Sequence, residues 1–139
     1  MYYVFSLGPV TFIQFNPYAI VYNTTNAQQN MQFLMSALNN SFSVSTTFFT
    51  IAYSHYPMIC SDPLVNPNCT FLNSTFQPFE QMLANFKSPI YFSGHAHSYE
   101  RSYPINALGQ VVNTDLIAYA NTTSPIYIIE GIAGTNNSF

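Results

Sequence analysis

The chain has 139 residues, with 2 Lys plus Arg against 5 Asp plus Glu and a formal net charge of −3. Charged residues are 5% of it, where a soluble domain averages about 25%, while hydrophobic residues reach 48% and aromatics 17%. That length and apolar content suit one domain with a core. They exclude a nucleic-acid binder, because neutralising even about six phosphates needs more than Lys87 and Arg101. They also exclude disorder, which requires low hydrophobicity, and a membrane span, because no apolar run approaches about 18 residues.

Taken in order, Tyr2–Leu7 and Val10–Phe15 read as strands rich in β-branched and aromatic residues, joined by a hairpin turn at Gly8-Pro9. A helix follows. Thr25 and Gln28 match a capping box, Met31, Leu34, Met35 and Leu38 keep the helical spacing, and Asn39-Asn40 marks its end. Phe48–Tyr53 reads as a strand, and the Pro- and Asn-rich stretch from Cys60 to Thr75 as a loop. Pro78 opens a second helix on Phe79, Met82, Leu83 and Phe86, and Pro89 closes it. Ile90–Ser93 is a short strand running into Gly94. Leu116–Ala120 and Ile126–Glu130 read as strands, expected to pair antiparallel at one edge or to form a second sheet. The alternation predicts an α/β layered sheet with helices on its faces.

The chain's 3 histidines are its most informative feature. His55 follows the strand ending at Tyr53, and His95 and His97 follow the strand ending at Ser93. Open α/β sheets bind ligands outside the carboxyl ends of their strands, so neighbouring parallel strands would gather all three on one rim. In Gly94-His95-Ala96-His97, alternate residues of an extended segment face one way, which suits a pair of metal ligands. Two metals about 3.5–4 Å apart would each take one ring. A zinc ribbon is excluded by the absence of CxxC pairs, and a serine hydrolase by the absence of a Gly-x-Ser-x-Gly elbow.

Asn-x-Ser/Thr acceptors stand at Asn23, Asn39, Asn68, Asn73, Asn121 and Asn136 and point to the secretory pathway. Cys60 and Cys69, an even count at short spacing, read as a disulfide in an oxidising compartment or as two buried thiols. Met1 leads into Tyr2-Tyr3-Val4-Phe5 without a basic start or a cleavage site, and this stretch is not expected to act as a secretory signal. The expectation is a piece of a longer secreted, extracellular or lysosome-like protein.

The segment Gly94-His95-Ala96-His97-Ser98-Tyr99-Glu100-Arg101 resembles the GHxHxYER block of the purple acid phosphatases, calcineurin-like metallophosphoesterases. Ser54-His55-Tyr56-Pro57-Met58-Ile59-Cys60-Ser61 resembles their HRPMYCS stretch, with Tyr56 where Arg is usual. Pro125–Asn136 is similar to their PVYIVxGxAG block, and Phe5–Ile13 to a YSFxxGxxxFI segment. The likeness is strongest to the large, animal-type acid phosphatases. It implies an incomplete metallophosphoesterase-like α/β/β/α architecture, a β-sheet sandwich flanked by helices. Residues 1–124 would be the C-terminal half of the catalytic domain, and 125–139 the start of a C-terminal subregion.

The resemblance further implies hydrolysis of phosphate monoesters at acid pH by a dinuclear centre, Fe(III) with Zn, Mn or Fe(II). By motif, His55 and His95 would bind the divalent ion and His97 the ferric one. The family's upstream GDxx, GDxxY and GNHE blocks, which supply further ligands, have no match here. Tyr99, Glu100 and Arg101 are expected to make structural contacts. A phosphate ester is the implied substrate, neither nucleic acid nor a membrane span is expected, and a homo-oligomer is left open. The rival readings are a phosphodiesterase of the same superfamily and a non-catalytic secreted glycoprotein.

Overall fold

Gly8 adopts φ +57 between β1 (Tyr3–Leu7) and β2 (Val10–Gln14), a left-handed conformation that costs a residue without Cβ nothing. The hairpin is thereby fixed, with Leu7 opposite Val10 and Tyr3 opposite Gln14. The computed structural model describes residues 2–17, 19, 25–43, 47–61, 76–86, 88–115, 117 and 124–132. After the hairpin come α1 (Ala27–Ser43), β3 (Phe49–Tyr53), α2 (Gln77–Asn85), β4 (Ile90–Ser93), β5 (Tyr99–Arg101) and β6 (Ile126–Glu130). The strands form one six-stranded sheet in the order β1-β2-β3-β4-β6-β5. β2, β3, β4 and β6 run parallel, and β1 and β5 are antiparallel edges.

α1 starts later than the Thr25–Gln28 capping box puts it. Its first helical hydrogen bond runs from Asn30 N to Asn26 O at 2.9 Å, so Asn26 occupies the cap position. It also continues past Asn39-Asn40 to Ser43, with no Gly or Pro to interrupt it, and Ser41 Oγ donates to the Leu38 carbonyl at 2.9 Å. α2 begins as the sequence indicates, with Pro in its first turn, and buries Phe79, Glu80 and Leu83.

Burial alternates along β2, β3, β4 and β6, so the sheet has one buried face. Ile13, Phe15, Ala52, Tyr91 and Tyr127 from that face pack with Leu34, Ala37 and Leu38 of α1 and Phe79 and Leu83 of α2. The other face keeps Phe5, Phe49 and Phe92 exposed, and all five residues of β1 are exposed at the sheet edge.

The expected α/β architecture is therefore present, with one sheet layer among the described residues. The last strands need correction. β6 lies inside the sheet, parallel to β4, and takes its antiparallel partner from β5, a strand not foreseen. Of the strand expected at Leu116–Ala120, only Ile117 is described, and it is a 96% exposed bend; the rest lies outside the described residues, as does most of the Cys60–Thr75 loop.

Candidate metal centre

β3 and β4 are neighbours and parallel, with Tyr53 opposite Phe92, so His55 and His95 leave the sheet at the same end. Cross-bonds hold the two exits together: Ser54 N donates to Phe92 O at 3.0 Å, and Gly94 N to His55 O at 3.0 Å. His55 Nε2 and His95 Nδ1 face each other at 3.3 Å. His95 takes φ +64, a left-handed backbone that is uncommon outside Gly. Such strain persists where surrounding contacts over-determine it, and functional sites are where it concentrates.

The surrounding contacts can be named. Ala96 N donates to Gly94 O and Ser98 N to Ala96 O, both at 2.8 Å, and Gly131 N donates to Ser98 O at 3.2 Å. Gly131 lies so close that a Cβ there would overlap the Ala96 carbonyl. Ala96 is itself buried with Cys60 and Ile129. Glu100 Oε2 accepts from Ser61 N at 3.1 Å, binding the chain beyond Cys60 to β5, which gives Glu100 the structural use expected of it.

The Tyr56 ring packs over the pair, its centroid 4.4 Å from that of His95 and 4.7 Å from that of His55. Burial, followed by the charges of His55 and His97, lowers the His95 pKa and favours its neutral, ligating form. Two nitrogens each about 2.0–2.1 Å from one ion lie about 2.8–3.4 Å apart at ligand angles of about 90–110°. The 3.3 Å separation of His55 Nε2 and His95 Nδ1 therefore fits two donors to a single ion. His97 is exposed and lies outside this contact. Among the described residues, no three His, Cys, Asp or Glu side chains gather into a group able to hold a metal.

Of the other residues singled out, Cys60 is buried and is not a free thiol, and Cys69 lies outside the described residues. Asn39 is exposed on α1, but Ser41 of its acceptor triplet is buried and bonded to Thr50 Oγ1 at 3.1 Å. Asn23, Asn68, Asn73, Asn121 and Asn136 lie outside the described residues. Sequence reasoning missed Ser54 and Tyr91, which brace the His55 turn. In a chain with 11 Tyr, nothing but the structure distinguishes Tyr91 from ordinary core packing.

No protein-family model matches the chain. It is 33% identical to "Acid phosphatase" of Aspergillus ficuum over 99 residues, covering 68% of this chain and 15% of that protein. It is 37% identical to "Purple acid phosphatase 1" of Ipomoea batatas over 59 residues, covering 42% and 12%. It is 25% identical to "Acid phosphatase type 7" of Homo sapiens over 146 residues, covering 96% and 33%. Its fold superposes on purple acid phosphatase PPD1 from yellow lupin (Lupinus luteus) seeds with a TM-score of 0.74 at 19% identity, covering 94% of this chain and 23% of that one. The chain belongs to the purple acid phosphatases. It spans a third or less of the length of these relatives. Within this purple acid phosphatase chain, the histidine pair lies at the carboxyl ends of adjacent parallel strands.

Proposed function

We propose that the chain forms part of an enzyme that hydrolyses phosphate monoesters at a dinuclear metal centre. The observation that carries this reading is the 3.3 Å approach of His55 Nε2 to His95 Nδ1. His55 and His95 would hold the divalent ion, Zn, Mn or Fe(II), and His97 the ferric ion. When bound, such a pair of ions supplies the positive charge that polarises a phosphate ester and makes a water acidic enough to attack at low pH. That charge would compensate for a chain with only 2 Lys and Arg.

The chain's own part is positional. The Gly94–Ser98 turns fix the rings, Gly131 lets β6 close against that loop, and Tyr56 screens the His pair from water on one side. Residues 1–124 would be the C-terminal half of the metallophosphoesterase domain, with 125–139 beginning the following subregion. Cys60 would be paired with Cys69, which fits its burial and its lack of a free thiol. Such a disulfide and the glycosylation acceptors support a reading of the protein as extracellular or lysosome-like. Among the described residues no helix is long and apolar enough to cross a membrane.

The test compares p-nitrophenyl phosphate with its bis-ester at acid pH, using the longer enzyme with and without His97→Ala. The monoester should be preferred, and the substitution should remove activity while leaving the fold intact. Activity surviving within about tenfold would refute the ligand assignment. A preference for the diester would identify a phosphodiesterase instead.

A further inference from the structure

We propose that the Tyr91 hydroxyl, together with Ser54, is the positioning device that holds His55 against His95. It rests on the reading of those two rings as ligands of one ion. His55 has Ser54 on one side and Tyr56 on the other, and both neighbours are tied to Tyr91. Tyr56 N donates to Ser54 Oγ at 3.2 Å. Ser54 Oγ lies 2.6 Å from Tyr91 Oη, and Tyr91 Oη lies 2.7 Å from Tyr56 O.

Ser54 Oγ also lies 2.8 Å from Tyr56 O, so the protons close in two ways. Tyr56 N–H goes to Ser54 in both; either Ser54 O–H goes to Tyr91 and Tyr91 O–H to the Tyr56 carbonyl, or Ser54 O–H goes to that carbonyl and Tyr91 O–H to Ser54. The ring of bonds satisfies both peptide groups of Tyr56 and pins the turn that carries His55. Its anchor is rigid, because Tyr91 is fully buried among Phe15, Tyr127 and the rest of the core. Tyr91 also sits on β4, the strand that delivers Gly94 and His95. A single strand thus sets one histidine through its backbone and the other through a side chain. Residues that orient ligands from behind in this way alter metal affinity without touching the metal.

Tyr127 supplies an internal control. It is buried on the same sheet face, and its hydroxyl has no partner among the described residues. The experiment uses the 139-residue chain labelled with 13C-histidine, whose 3 rings give separable signals. Without metal, the wild type should show a ring-to-ring nuclear Overhauser effect between His55 and His95. Tyr91→Phe and Ser54→Ala should lose it, and Ser54→Thr and Tyr127→Phe should keep it. Co2+ titration should show binding weakened about tenfold or more by Tyr91→Phe and Ser54→Ala, and unchanged by Tyr127→Phe.

Folded Tyr91→Phe that keeps both the ring contact and the wild-type Co2+ affinity overturns the proposal, as does a wild type without the contact. Should Tyr91→Phe fail to fold, Ser54→Ala decides on the same criteria. A wild type that binds no Co2+, but whose ring contact is lost in Tyr91→Phe, supports the positioning role and refutes the ligand reading.

Discussion

His55 Nε2 and His95 Nδ1 approach to 3.3 Å although 40 residues separate them in sequence. Two elements of the fold produce this approach. Parallel pairing of β3 with β4 brings the strand ends together, and the Gly94 N to His55 O bond at 3.0 Å locks the exits. The left-handed backbone of His95 then turns its ring toward its partner, at a conformational cost that the surrounding contacts must hold in place.

Gly131 is one of those contacts, and its role is testable. Gly131→Ala places a methyl group on the Ala96 carbonyl, backbone against backbone, so the His95 loop or the end of β6 must move. The expected loss is about 2 kcal/mol or more in denaturant unfolding, with altered histidine NMR signals. An unchanged midpoint and an unchanged spectrum would refute the close packing.

Glu80 makes stability depend on pH. Burial pushes its carboxyl from an ordinary value of 4.5 up to about 7. The folded state therefore binds a proton that the unfolded chain releases. The contribution is fully present below about pH 4.5 and is lost as pH rises through about 7, roughly 3 kcal/mol at most across that window. Urea unfolding at pH 5 and pH 8 should show the decline, and Glu80→Gln should flatten it. Equal slopes in the two proteins would contradict the assignment.

Much of this was legible in the sequence, and the gaps have physical causes. α2 was readable because Pro78 marks its start and Phe79, Met82, Leu83 and Phe86 repeat at helical spacing. β5 was not, because Tyr99-Glu100-Arg101 has three residues and two charges; its strand geometry comes from pairing with β6 rather than from propensity. The place of β6 inside the sheet rests on long-range pairing, which no local pattern encodes. At the site, strand ends followed by His55 and His95 could be read directly. The Tyr91–Ser54 bond could not, since an aromatic on a buried strand gives the same pattern whether or not its hydroxyl is used.

The exposed sheet face has a consequence for behaviour in solution. Leu7 is 72% exposed on an edge strand and Phe49 is 55% exposed on the same sheet face. Apolar edges template association. Leu7→Lys with Phe49→Lys should raise the monodisperse fraction in light scattering while leaving the far-ultraviolet circular dichroism intact. No gain in monodispersity would mean that this face does not drive self-association.

For the proposed disulfide, Cys60→Ser should lower stability by about 2–4 kcal/mol. Identical unfolding curves for the oxidised and reduced wild type would argue that no such bond forms.

The most direct measurement is Co2+ binding to the purified chain, followed by its visible absorption and checked by elemental analysis. The account predicts an ion bound through His55 and His95, with binding lost in both His55→Ala and His95→Ala. Wild-type protein that binds no ion, or single variants that bind as the wild type does, would contradict it.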